Sequence, residues 1–135
     1  MSAPSRRLLP TLLLMAVLLW PAPAIASEVT VVKAVFRQSG GAWQVSVTLR
    51  HADTGWEHYA SLWVVEDAKG RELGRRVLFH PHVDEQPFTR SERIAIPPGV
   101  TRVFVRAGEK PGGLNSNRLE VDLTRASGPG YQVVR

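Results

Sequence analysis

Alternation of apolar and polar side chains is the feature that most constrains how this chain folds. In the clearest run, Trp43–His51, one face of an extended strand carries Trp43, Val45, Val47, Leu49 and His51, and the intervening residues fall on the other face. Successive side chains of a strand point to opposite faces, whereas an amphipathic helix repeats every 3.6 residues. No window of the sequence shows a sustained helical stripe. The pattern therefore predicts an all-β protein.

Seven such runs are separated by segments rich in turn-forming residues. Lettered A to G, the predicted strands are Val29–Gln38, Trp43–His51, Tyr59–Glu66, Arg71–Phe79, Ser91–Ile96, Val100–Ala107 and Arg118–Leu123. Seven short strands in about 100 residues are typical of an immunoglobulin-like β-sandwich, and a small barrel is the alternative. We expect this sandwich domain to span residues 27–123 and residues 124–135 to form a flexible C-terminal tail.

The first 26 residues have the pattern of a cleaved signal peptide. The arginine pair Arg6-Arg7 is followed by the apolar run Leu12–Trp20, and Ala24-Ile25-Ala26 is a small-x-small cleavage pattern. A membrane-spanning helix needs about 20 apolar residues, and this run ends earlier, at a proline. We therefore expect export to the periplasm, no membrane span after cleavage, and either the secretory or the twin-arginine route.

Composition excludes several classes of site. The chain has no cysteine, which rules out disulfides, thiolate zinc sites and a cysteine nucleophile. Both methionines, Met1 and Met15, lie in the predicted signal peptide, so the mature chain has no sulfur ligand. Cleavage also removes Arg6-Arg7 and no acid, so the net charge falls from +5 to +3. The remaining basic residues form no patch, and we expect no nucleic-acid partner.

The four histidines are the most informative residues for function. His51 ends strand B, His58 precedes strand C, and His80 and His82 follow strand D. In a seven-strand sandwich the B–C, D–E and F–G loops cluster at one end. Strand order therefore predicts a site that contains all four imidazoles.

Imidazole is the commonest metal ligand in proteins, so this cluster predicts a metal site. Nitrogen and oxygen donors without sulfur suit Zn, Cu(II) or Fe(II). Carboxylates of the same loops can complete the site or orient the rings. Glu57 and Asp84 are the second-tier ligand candidates, and Asp53, Glu85 and Glu109 lie in the same loops. A role in metal carriage, metal sensing or a small redox site follows.

The alternative is that these histidines are ordinary loop residues. The domain would then be a non-catalytic interaction module that binds an envelope protein through the same loops or an edge strand. The chain has no G-x-S-x-G nucleophile elbow, and nothing in its motifs indicates a hydrolase. Catalysis stays open, with a non-catalytic role favoured, and the sequence does not predict an oligomeric state.

The segment His51–Glu66 resembles the desulfoferrodoxin/superoxide-reductase family. That family combines an immunoglobulin-like sandwich with a mononuclear iron site of four histidines and one cysteine, and its second ligand histidine begins a His-Tyr-x-x-Trp strand. The resemblance implies that His51 and His58 are metal ligands. Here the spacing between the two histidines is one residue longer, Trp63 comes one residue later, and the cysteine has no counterpart. The reductase activity is therefore not carried over.

Overall fold

A computed structural model describes residues 1–5, 7, 16–20 and 28–135 of the chain. The predicted cleavage site after Ala26 and the first four residues of the predicted apolar run lie outside these residues. Within them there is no helix, and hence none long and apolar enough to cross a membrane.

The described part of the chain is all-β, as the alternation predicts. Ten strands follow one another: β1 Thr30–Ser39, β2 Ala42–Arg50, β3 Tyr59–Glu66, β4 Glu72–Val77, β5 Phe88–Ile94, β6 Arg102–Lys110, β7 Gly113–Leu114, β8 Leu119–Asp122, β9 Ser127–Gly128 and β10 Tyr131–Val134. The expected number of seven is therefore too low, because three short strands, β7, β9 and β10, carry too few residues to show a clear alternation.

The strands form two sheets. The first has the order β5-β2-β1-β10-β9, and the second has the order β4-β3-β6-β7, with β8 also pairing with β6. All pairs are antiparallel except β1 and β10, which run parallel. Sequence neighbours β1 and β2 pair through the turn at Gly40, whose φ of 61° suits a residue without a side chain.

A single apolar core lies between the two sheets. Every second residue of β2 is fully buried at Val45, Val47 and Leu49, and β6 buries Val103 and Val105 in the same way. Both sheets contribute to this one cluster, whose largest fully buried members include Phe36, Leu49, Phe88, Ile94 and Trp63. Buried apolar area is the main stabilising term of a folded domain, so this core stabilises a domain that has no disulfide.

Strand pairing places three connections at one end of the sheets. The end of β2 lies beside the start of β5, with Leu49 opposite Phe88. The start of β3 lies beside the end of β6, with Tyr59 opposite Lys110. The β2–β3 and β4–β5 connections and the end of β6 therefore meet there, as the predicted B–C, D–E and F–G loops do.

The C-terminal residues are not a flexible tail, contrary to the prediction for 124–135. Tyr131 and Val133 are buried in the core, and β10 pairs in register with β1 from Ala34 to Arg37. Gly128 lies so close to the ring of Tyr131 that a Cβ at this position would overlap it. The apolar alternation of β10 covers only four residues beside a Gly-Pro-Gly segment, which explains why the segment resembles a loop in the sequence.

Most predicted strand ends shift by one or two residues in the structure, and strands E and F each differ by three residues at one end. Strand E begins earlier, at Phe88, because this buried side chain continues the pairing with β2. Strand F does not end at Ala107 but continues to Lys110, and Glu109 therefore lies in β6 rather than in a loop. The extension of strand F determines the composition of the candidate site, because it includes Glu109.

Candidate metal centre

Three side chains meet where the β2–β3 connection approaches the end of β6. One ligand atom from each of His51, His58 and Glu109 lies within 4.8 Å of the other two. Glu109 Oε2 is 3.2 Å from His51 Nε2 and 2.6 Å from His58 Nε2. The side chains of His51 and Glu109 are 1% and 2% exposed, whereas that of His58 is 32% exposed. The group therefore has two interior members and one at the surface.

His51 and Glu109 owe their positions to the alternation of their strands. After Val45, Val47 and Leu49, His51 is the next residue on the inward face of β2. After Val103, Val105 and Ala107, Glu109 is the next on the inward face of β6. All eight of these residues are buried. The site is thus a polar continuation of the apolar core, held by two central strands.

His58 is positioned by a tight β2–β3 connection. The backbone N–H of Thr54 donates to the carbonyl of His58 over 3.0 Å, and the N–H of His58 donates to the carbonyl of Gly55 over 3.2 Å. The rings of His51 and His58 then meet edge to face, with centroids 4.8 Å apart. Six residues lie between the two histidines in the sequence, and this folded connection brings their rings into contact.

The carboxylate of Glu109 is buried without a well-directed hydrogen bond. Within the described residues neither of its oxygens accepts one, although Oε2 lies within ion-pair distance of both ring nitrogens. These short distances make the contact an electrostatic one between the carboxylate and the two rings. A buried carboxylate needs a compensating positive charge. A metal ion or an imidazolium supplies one.

The donor set suits a divalent metal. Two imidazole nitrogens and one carboxylate oxygen are ligands of zinc and of non-haem iron, and Cu(II) accepts the same donors. Bonds of 2.0–2.1 Å in a tetrahedral arrangement separate neighbouring donors by about 3.3 Å. The His51–Glu109 separation of 3.2 Å already matches this value, and the His58–Glu109 separation of 2.6 Å is shorter. His58, the surface member, is the ligand that would shift outward.

Asp53 connects this group to the surrounding backbone. Its Oδ1 accepts from His51 Nδ1 over 2.6 Å and from the N–H of Ala60 over 2.9 Å, and its Oδ2 accepts from the N–H of His82 over 2.8 Å. Its side chain is fully buried. The Gln86 side chain adds a second bridge, accepting from the N–H of His51 and donating to the carbonyl of His82.

His80 and His82 form a separate pair on the β4–β5 connection. Their ring centroids are 4.5 Å apart, and the ring of His82 stacks on Phe88 at 3.9 Å. The Nε2 atom of His82 accepts from Arg90 Nη2 over 2.9 Å, so its lone pair is already used. Asp53 thus links the backbone of His82 to the candidate metal centre. The grouped ligand atoms of that centre come from His51, His58 and Glu109.

Burial lowers the pKa of His82, and the guanidinium of Arg90 and the ring of His80 lower it further. Glu85 and Asp53 act in the opposite direction. A neutral His82 fits its observed role, since an imidazolium could not accept the hydrogen bond from Arg90.

The carboxylates ranked as second-tier ligands lie elsewhere. Glu57 and Asp84 are both exposed, and neither belongs to the three-residue group. The carboxylate of the three-residue group belongs to Glu109 instead. The sequence indicates this position only through the alternation of β6, which continues past Gly108. Gly108 interrupts the run of side chains without ending the strand, because β7 pairs beside it.

Comparisons with known proteins give one relative and no family. No family model matches the chain, and no solved structure matches it. A protein of Halomicrobium mukohataei named "Putative lipoprotein" is 44% identical over 96 residues, which make up 70% of this chain and 47% of the relative. The chain thus spans about half the length of the curated relative that it matches.

Proposed function

We propose that this chain is an exported protein with an immunoglobulin-like β-sandwich that binds one divalent metal ion through His51, His58 and Glu109. The observation that carries the proposal is the buried carboxylate of Glu109, which faces two imidazole nitrogens without a directed hydrogen bond. Zn, Cu(II) and Fe(II) are the candidate ions. Metal carriage, metal sensing and a small redox site are the roles that such a centre supports.

Two further observations support the exported sandwich. The pairing of β2 with β1 and β5, opposite a sheet built on β3, β6 and β8, follows the division of strands A, B and E from C, F and G in immunoglobulin domains. Strand β4 departs from that division because it joins the sheet of β3. The name of the relative and the predicted signal peptide both favour a location in the cell envelope, and we expect the periplasm.

Zinc titration of the full chain, by calorimetry or by competition with a chromophoric chelator, tests the metal site. We expect saturable binding of one ion, at least tenfold weaker binding in Glu109→Gln, and a larger loss in the double variant His51→Ala/His58→Ala. Glu57→Gln is the matched control, because it neutralises an exposed carboxylate beside the site. Binding should also weaken on acidification, because protons compete with the metal for the imidazole nitrogens. No saturable binding, or equal affinity in Glu109→Gln, contradicts the proposal.

The same titration separates this site from the four-histidine site predicted by sequence. If the ligands are His51, His58 and Glu109, the exposed His80 can be replaced by Gln without loss of zinc affinity. If His80 and His82 complete the site, His80→Gln weakens binding as strongly as a substitution of His58. Each of the two ligand sets thus has its own result.

The exposed apolar residues of the same loops favour a second candidate function, which is binding of an envelope protein. Trp56 in the β2–β3 connection is 62% exposed, and Phe79 and Val83 in the β4–β5 connection are 74% and 52% exposed. Exposed aromatic and aliphatic side chains are typical of protein interfaces. Cross-linking in an envelope extract should capture a partner with wild type in the presence of chelator, and should fail with Trp56→Ser/Phe79→Ser.

A further inference from the structure

We propose that Asp53 is the positioning residue of the metal centre, which holds His51 in the tautomer and orientation that direct Nε2 at the metal. This inference rests on the proposed metal site. Asp53 lies outside the three-ligand group, and it links that group to the β4–β5 connection through the N–H of His82.

The first step is the assignment of donor and acceptor. Asp53 Oδ1 lies 2.6 Å from His51 Nδ1 and 2.9 Å from the backbone nitrogen of Ala60. A backbone N–H can only donate, and an ionised carboxylate can only accept. Nδ1 of His51 must therefore carry the proton. When a metal is bound, the lone pair of this imidazole is then on Nε2, the atom that faces Glu109 at 3.2 Å.

The second step is the rigidity of Asp53 itself. Its other oxygen, Oδ2, accepts from the backbone N–H of His82 over 2.8 Å, and its side chain is fully buried. Three N–H donors from three separate segments thus fix this carboxylate, namely those of His51, Ala60 and His82. A carboxylate held in this way cannot rotate, and so it fixes the ring of His51.

The third step is the bridge made by Gln86. Its Oε1 accepts from the backbone N–H of His51 over 3.0 Å, and its Nε2 donates to the carbonyl of His82 over 2.9 Å. The β4–β5 connection is therefore bonded to His51 both at the backbone, by Gln86, and at the ring, through Asp53. Carboxylates that orient a ligating histidine typically change metal affinity by 10- to 100-fold when they are replaced.

The experiment compares zinc binding by the full-length chain with that of Asp53→Asn. Asparagine keeps one acceptor oxygen and replaces the other by an N–H₂ group. That group faces either the N–H of His82 or the N–H groups of His51 and Ala60, and none of these can accept a hydrogen bond from it. We expect zinc affinity to fall by 10- to 100-fold. Asp84→Asn is the matched control, an exposed acid of the β4–β5 connection, and it should bind like wild type.

A second measurement distinguishes positioning from a general structural role. In the ¹⁵N spectrum of the zinc-loaded wild type, we expect His51 to show a protonated Nδ1 and a metal-bound Nε2. This spectrum needs no variant, so it decides the question even if Asp53→Asn does not fold. Zinc bound through Nδ1 of His51, or unchanged zinc affinity in a folded Asp53→Asn, overturns the inference and leaves the metal site standing. If the wild type binds no zinc, both the metal site and this inference are wrong.

Discussion

The buried ion pair between Glu66 and Arg106 gives the sharpest test of how the sheet that carries Glu109 is held. Arg106 donates to Glu66 through Nε over 3.0 Å and through Nη2 over 2.6 Å, and the Glu66 side chain is only 4% exposed. Glu66→Gln keeps one acceptor and turns the amide N–H₂ toward the second guanidinium donor. Removing one partner of a buried pair typically costs 3–5 kcal/mol. Because the Arg106 side chain is 28% exposed, we expect the lower end, about 3 kcal/mol.

The chain offers a control pair of nearly the same geometry on its surface. Arg75 donates to Glu72 through Nε over 3.1 Å and through Nη2 over 2.6 Å, but these side chains are 50% and 38% exposed. Surface pairs contribute little, because water and salt screen them. Glu72→Gln should therefore leave the free energy of unfolding within experimental error.

Urea unfolding of the full chain at neutral pH, followed by tryptophan fluorescence, measures both variants. We expect a lower urea midpoint for Glu66→Gln at an unchanged slope, which means a change in stability rather than in the surface exposed on unfolding. A loss of unfolding free energy below about 1 kcal/mol, or a loss equal to that of Glu72→Gln, would contradict the expectation that burial makes the Glu66–Arg106 pair more stabilising than a surface pair.

Three further substitutions or conditions test other parts of the structure by the same unfolding assay. Gly128→Ala should destabilise the protein, because the added Cβ would overlap the ring of Tyr131 in β10. In Gly41→Ala the added Cβ meets nothing within 4 Å, so this control should be neutral. Equal effects would mean that the C-terminal residues do not pack as described. Asn115→Asp should lower the free energy of unfolding by about 2 kcal/mol. Nδ2 of Asn115 donates to the carbonyl of Val29 over 2.6 Å, and an aspartate oxygen cannot donate there. An unchanged urea midpoint would contradict this expectation. Acidification below pH 6.5 should lower the free energy of unfolding, because the pKa of His82 is lowered in the folded protein and the unfolded chain therefore takes up the proton first. In His82→Gln, the free energy of unfolding should depend less on pH over the same range.

The central part of the fold and half of the site were accessible from the sequence. The long alternation of β2 predicts both its buried face and the inward position of His51, and the structure has both. The meeting of the β2–β3 and β4–β5 connections followed from strand order, and the bond from the N–H of His82 to Asp53 shows it. These inferences succeeded because they depend on period and topology, which single side chains do not disturb.

Two features could not be predicted, for different physical reasons. Glu109 follows Gly108, and a glycine in a strand often marks a bulge or a bend. Only the pairing with β3 and β7 shows that the strand continues to Lys110. His82 is on the correct loop, but its ring is directed to Phe88 and Arg90. The direction of a ring on a loop depends on side chains that are distant in sequence, and alternation carries no information about it.

The location of the bound ion in a crystal of the zinc-loaded full chain, by anomalous scattering at the zinc edge, tests the central claim most directly. We expect one peak within about 2.2 Å of Nε2 of His51, Nε2 of His58 and a carboxylate oxygen of Glu109. A peak at the His80–His82 pair, or no peak at full zinc occupancy in solution, would contradict it.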